Sequence, residues 1–168
     1  MNVFLKPGEV YVSKKPTRVS TILGSCVAVT MFNERLKIGG ICHARLPRRR
    51  EFSNAGGEFN YVDCSIYYIL DRFEGLGVTK GETTVKMFGG AEVLERINRN
   101  TASVGRENIE TALEIIRDEE LYLAASDVGG DQGRKVFFFT HTGKVLLKRL
   151  GSISRGGYHE QGESSYRR

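Results

Sequence analysis

The opening third of the chain is a succession of short β-rich runs, each cut off by a residue that turns the backbone, and this pattern excludes a helical start. Glu9-Val10-Tyr11-Val12, Val19-Ser20-Thr21-Ile22-Leu23 and Val27-Ala28-Val29-Thr30-Met31-Phe32 are punctuated by Pro16, Gly24 and Asn33. Asn33-Glu34-Arg35 reads as a hairpin turn, with a returning strand from about Lys37 to Arg45 that ends at Pro47. The two-residue alternation of that strand sets Cys42 and His43 on opposite faces. Helical spacing enters only later. Val62, Ile66, Ile69, Leu70 and Phe73 recur at intervals of three and four within Phe59 to Phe73, and Gly75-Leu76-Gly77 closes the segment. A second helix is expected over Glu107 to Glu119, with Ile109, Leu113 and Ile116 on its apolar side and Gly105 just before it. Further strands are expected at Thr83 to Phe88, Leu121 to Asp127, Lys135 to Thr140 and Lys144 to Leu150. Six or seven strands with two principal helices give an α+β or layered α/β domain.

The 168 residues, 40 % of them hydrophobic, suffice for one core, so a single compact domain is expected over residues 1–151. From Ser152 onward the chain is rich in Ser, Gly and Arg and nearly devoid of aliphatic residues, so 152–168 is expected to be a flexible basic tail. No apolar stretch reaches the length of a membrane span, and Met1-Asn2-Val3-Phe4-Leu5-Lys6 has no basic leader, from which a cytoplasmic protein without membrane insertion is expected. Cys26, Cys42 and Cys64 are odd in number and form no CxxC pair, which argues against a disulfide framework and a structural zinc site; no metal is expected. The net charge of +5 comes from scattered residues apart from Arg48-Arg49-Arg50 and Arg167-Arg168, with no nucleic-acid motif. The Arg48 to Arg50 run reads either as a solvated loop or as a contact for an acidic protein.

Gly24-Ser25-Cys26 lies between two apolar runs, where a glycine lets the backbone turn and a following thiol could be presented at a strand end. On its own such a cysteine is more often a buried small hydrophobe. A nucleophilic thiol needs a base, and pairing of 27–32 with 37–45 around the hairpin brings His43 close to Cys26 across the ladder. His141, beside the turn at Thr142-Gly143, reads as exposed, and His159 lies in the tail. A third group normally holds the imidazole in one tautomer; the hydroxyls of Ser20 and Thr21 are near enough in sequence, and pattern alone leaves open which faces the site. Backbone N–H groups around Gly24, Ser25 and Cys26 are the candidate oxyanion donors.

Thr21-Ile22-Leu23-Gly24-Ser25-Cys26-Val27 and Gly39-Gly40-Ile41-Cys42-His43-Ala44-Arg45-Leu46-Pro47 closely resemble the two signature segments of the chemoreceptor glutamine deamidase family CheD. Tyr61-Val62-Asp63, Lys86-Met87-Phe88-Gly89-Gly90-Ala91, Asn108-Ile109, Asp127-Val128-Gly129-Gly130 and Gly133-Arg134-Lys135 extend the resemblance from about Gly8 to Leu150. It implies a layered α/β/β sandwich, similar to the catalytic domain of cytotoxic necrotizing factor toxins, with Cys26 as nucleophile and His43 as base. The family's third member is a threonine six residues before the cysteine; that position is Ser20 here, with Thr21 one residue later, so the third role stays open between them. Cys42, where many relatives have a small or amide residue, reads as a packing variant, and the paired glycines at 89–90 and 129–130 read as scaffold.

The implied activity is hydrolysis of receptor glutamine side chains to glutamate through a cysteine thioester, with no metal or organic cofactor. The implied partners are chemoreceptor cytoplasmic domains and the chemotaxis phosphatase CheC. Two rival readings stand beside it: a non-catalytic regulator that binds receptors and CheC, with Cys26 vestigial, and an enzyme that keeps the nucleophile but changes the substrate, either a deamidase of another protein or a transglutaminase-like enzyme that accepts amines.

Overall fold

A computed structural model describes residues 1–50, 56–92 and 103–151; the expected tail lies outside them. The β-rich opening folds as β1 (Asn2–Phe4), β2 (Glu9–Ser13), β3 (Arg18–Leu23), β4 (Val27–Asn33) and β5 (Ile38–His43). Then come α1 (Val62–Glu74), β6 (Thr83–Gly89), α2 (Val104–Asp118), β7 (Tyr122–Val128), β8 (Arg134–Phe139) and β9 (Val145–Arg149). The strands form two sheets, ordered β1-β3-β8-β9 and β2-β5-β4-β6-β7. β1 escapes sequence reading, because a three-residue edge strand carries no period. It runs parallel to β3, from Asn2 opposite Arg18 to Phe4 opposite Ser20.

β4 is the centre of the five-stranded sheet and is buried at every position, which explains its near-continuous apolar run. Its two faces feed two cores. Val27, Val29 and Met31 join Ile66, Ile69 and Phe73 of α1 and Ala112, Ile115 and Ile116 of α2. Ala28 joins Ile41 and Phe88 against Val19, Leu23, Val136 and Phe138 of the four-stranded sheet. The layers are therefore helices, five-stranded sheet, four-stranded sheet, as the α/β/β reading requires.

The middle sheet can be covered so closely on both sides because β5 carries Gly39 and Gly40. A Cβ at Gly39 would stand 2.6 Å from the Thr140 backbone in the four-stranded layer, and one at Gly40 would stand 2.7 Å from the Ile69 side chain in the helical layer. The next residues continue the alternation: Ile41 faces the second sheet, Cys42 the helices, and His43 the second sheet again. The expected hairpin forms, with Asn33 opposite Ile38 and Thr30 opposite Ile41, and Lys37 belongs to the turn rather than to the returning strand.

α2 begins earlier than its apolar spacing indicates. Ser103 caps it by accepting from the Arg106 N–H at 3.1 Å, so Gly105 lies inside the first turn rather than ahead of the helix. A Cβ there would meet the Gly90 carbonyl oxygen at 2.8 Å; the glycine allows a close approach and does not serve a turn. Arg48 pairs with Glu114 at 2.6 Å and Arg49 with Glu58 at 3.7 Å, all four side chains about half exposed. Among the described residues no helix is long and apolar enough to cross a membrane.

Candidate active site

The chain passes from one sheet to the other at Gly24-Ser25-Cys26, between the end of β3 and the start of β4. Three carbonyls of this link are held from outside. Gly24 O accepts from the Ala91 N–H at 2.8 Å, Ser25 O from Asn108 Nδ2 at 3.0 Å, and Cys26 O from the Gly90 N–H at 2.8 Å. The N–H groups of Gly24, Ser25 and Cys26 donate to no backbone carbonyl among the described residues. Gly89, at φ 105, lies so close that a Cβ would stand 2.2 Å from Cys26 O. The 89–90 pair thus clamps the cysteine loop directly, a finer role than the scaffold expected from sequence.

Val27 and Ala44 exchange both backbone hydrogen bonds, at 3.0 and 2.9 Å, and extend the β4–β5 ladder by one step. The same register sets Cys26 opposite Arg45 and His43 opposite Ala28, so the cysteine and the histidine are diagonal neighbours, with a typical spacing of about 7–8 Å. Both lie on the face turned toward the second sheet: Cys26 packs against the core formed there by Leu23, Ala28 and Phe88, and His43 meets Thr21 across it.

Thr21 and His43 are 0 % and 2 % exposed, and Thr21 Oγ1 lies 2.7 Å from His43 Nδ1. The single hydroxyl proton of Thr21 is donated elsewhere, to Leu5 O at 2.8 Å. Toward the imidazole the hydroxyl can therefore only accept, so the network assigns the ring proton to Nδ1 and leaves a lone pair on Nε2. Nε2 is buried and has no hydrogen-bond partner among the described residues. Leu5, which follows the unforeseen β1, gave no signal in the sequence as part of this arrangement.

Ser20 is not brought to the imidazole. By alternation it points to the outer face of β3, where its hydroxyl donates to Val3 O at 3.4 Å. The offset of six residues from the cysteine leads to this outward position, and the inward hydroxyl is five residues before Cys26. Thr21→Val should cost roughly 10-fold to 100-fold in turnover, since a buried donor left unpaired costs about 1–3 kcal/mol and each 1.4 kcal/mol is tenfold in rate. Ser20→Ala should leave turnover within a factor of about two, as changes outside the core and the site usually do. Steady-state rates of the two variants distinguish the hydroxyls, and equal losses would remove Thr21 from the site.

Burial pushes the Cys26 thiol up from its ordinary range, and the Arg45 guanidinium opposite pulls it back down. Cys42, enclosed in the helix-side core, is pushed up to about 12 by burial. Cys64 on α1 is pushed up to about 11 by burial and by Asp63. His43 is pulled down to about 4, mainly by burial and further by Arg45, although the Leu5 carbonyl and Glu9 work in the opposite direction. At neutral pH the site rests as thiol and neutral imidazole.

The lowered His43 value bears on stability. An unfolded histidine titrates near 6.5 and this one near 4, so below pH 6.5 the unfolded chain binds more protons and the fold loses stability until about pH 4, where the loss is complete. Urea midpoints of the unaltered protein should fall across this window more steeply than those of His43→Ala. Parallel curves would mean that His43 is not buried neutral.

The family model described as CheD chemotactic sensory transduction matches residues 45–149. That span begins at Arg45, so it does not itself include Cys26 or His43. The chain is 46 % identical over 149 residues to a protein of Geobacter sulfurreducens named probable chemoreceptor glutamine deamidase CheD 2, covering 89 % of this chain and 90 % of that one. It is 43 % identical over 155 residues to a probable chemoreceptor glutamine deamidase CheD of Maridesulfovibrio salexigens, covering 88 % and 91 %. An archaeal protein of the same name, from Methanococcus maripaludis, is 37 % identical over 147 residues, covering 86 % and 93 %.

Proposed function

Because the chain belongs to the CheD family, we propose that it is a chemoreceptor glutamine deamidase, a hydrolase that converts receptor glutamine side chains to glutamate in chemotaxis. The observation that carries the catalytic reading is the bond of Thr21 to His43 Nδ1, which leaves Nε2 unprotonated on the face that also bears Cys26.

In the proposed reaction Nε2 takes the thiol proton as Sγ bonds to the carboxamide carbon of the glutamine side chain. The carbonyl oxygen becomes an oxyanion, facing the N–H groups of Gly24 to Cys26. The imidazolium returns its proton to the nitrogen, the carbon–nitrogen bond breaks, and ammonia leaves a thioester on Cys26. Water, deprotonated by the same Nε2, adds to the thioester; the carbon–sulfur bond breaks, glutamate is released, and the thiol recovers its proton. Arg45 opposite Cys26 opposes the rise in the thiol's affinity for its proton.

A receptor glutamine made into glutamate gains a negative charge on a helical bundle, where like charges a turn apart destabilise by a few tenths of a kcal/mol, about 0.2–0.5 per pair. The proposal places this reaction in the cytoplasm, on chemoreceptor cytoplasmic domains, with the phosphatase CheC as a second partner on grounds of family resemblance. Coupled detection of ammonia on a receptor cytoplasmic fragment, with and without an added primary amine, tests the reaction class. Ammonia release with no amine incorporated is the expected result. Stable incorporation of the amine would make the enzyme a transglutaminase instead.

A further inference from the structure

Asn108 lies on α2, in the helical layer, and its side chain reaches the backbone of both segments that carry the site residues. Its Nδ2 donates to Ser25 O and to Arg45 O, each at 3.0 Å. Ser25 immediately precedes Cys26, and Arg45 follows His43 by two residues, so one amide group ties the strand that brings the nucleophile to the strand that brings the base. The tie sits just past the Val27–Ala44 bridge, where the β4–β5 ladder ends and strand pairing no longer fixes the separation.

The residue type is specific. Asn108 is 0 % exposed, and its Oδ1 has no hydrogen-bond partner among the described residues. Turning the amide over would aim that oxygen at two carbonyl oxygens, so the orientation is set by the two bonds its nitrogen makes. A buried acceptor left unpaired is rare in folded proteins and calls for a compensating role. Both protons of a single NH₂ group are used on two acceptors from the separate segments just past the ends of β4 and β5, a task that neither a hydroxyl nor a carboxylate can perform.

We propose that Asn108 is a positioning residue that sets the distance between Cys26 and His43 by clamping the carbonyls of Ser25 and Arg45. It touches neither reacting atom and acts through the backbone. The assignment rests on the reading of Cys26 and His43 as nucleophile and base.

Asn108→Ala and Asn108→Ser, compared with Asn33→Ala, provide the test. Asn33 is an equally informative control: it is 1 % exposed, bonds the Glu82 carbonyl at 3.0 Å and the Leu36 N–H at 2.8 Å, and lies at the far end of β4. Turnover of a receptor fragment, measured well below each variant's melting temperature, should fall about 10-fold to 100-fold in kcat for either Asn108 variant that folds, with KM within about threefold, the cost of a misplacement near 1 Å. Asn33→Ala should keep kcat within about twofold despite its loss of buried bonds. The pH profile of Cys26 alkylation by iodoacetamide adds a readout that does not depend on the substrate. In the Asn108 variants its inflection should move upward as Arg45 slips from its place opposite the thiol, and in Asn33→Ala it should not. A folded Asn108 variant with unchanged kcat and an unchanged alkylation inflection overturns the proposal, as does an equal loss in Asn33→Ala. Should the unaltered protein release no ammonia at all, the deamidase reading fails, and the alkylation inflection alone decides whether Asn108 positions the thiol.

Discussion

Cys26→Ala should reduce deamidation by on the order of 10⁴-fold or more while the protein keeps its circular dichroism spectrum and melting behaviour, as expected when the atom that forms the covalent bond is removed. Little structural cost accompanies the change. The side chain is only partly buried at the rim of the inter-sheet core, and the loop is held through its carbonyls rather than through the thiol. The other two thiols provide the contrast. Cys42→Ala opens a small void in the helix-side core and should lower stability without abolishing turnover, and Cys64→Ala should leave turnover within about twofold. Rates and melting temperatures measured together separate the two effects. Comparable loss of activity in all three variants at full stability would show that the nucleophile is misassigned.

His43→Ala should cost on the order of 10²–10⁴ in kcat, the usual contribution of a positioned general base. The loss should exceed that of Thr21→Val, because in the proposed reaction Thr21 only holds the tautomer whereas Nε2 itself accepts and returns the proton. The pH dependence gives a second measure. With His43 pulled down to about 4, the acid limb of kcat/KM should lie near that value instead of near 6.5, as the neutral imidazole persists through mildly acid solution. A variant with near-normal kcat, or an acid limb near 6.5 in the unaltered protein, would contradict the role given to this buried imidazole.

Much of this arrangement is legible in the sequence. The hairpin could be read from Asn33 and from the β-branched runs on either side of it, and its register alone predicts that Cys26 and His43 are neighbours on one face of a sheet. The two helices could be read from apolar spacing, and the α/β/β layering followed from the family resemblance. What escaped depends on contacts between layers. Whether Ser20 or Thr21 faces His43 is a question of phase in β3, and a strand with hydroxyls at successive positions offers both phases equally. The Leu5 carbonyl that fixes the direction of the Thr21 hydroxyl comes from beyond a three-residue strand with no pattern of its own. Gly39, Gly40, Gly89 and Gly105 were visible as glycines, yet their work is to let separate layers approach, and that is written only in three dimensions. Asn108 stood out in sequence merely as part of a matching segment; its two bonds join carbonyls 83 and 63 residues away.

Hydrolysis of receptor glutamines through Cys26 is open to a direct test by peptide-resolved mass spectrometry of a glutamine-bearing chemoreceptor cytoplasmic fragment after incubation with the unaltered protein or with Cys26→Ala. Defined glutamines should acquire the mass of glutamate with the unaltered protein only. Glutamines that remain amides with both proteins, or that convert equally with both, would contradict it.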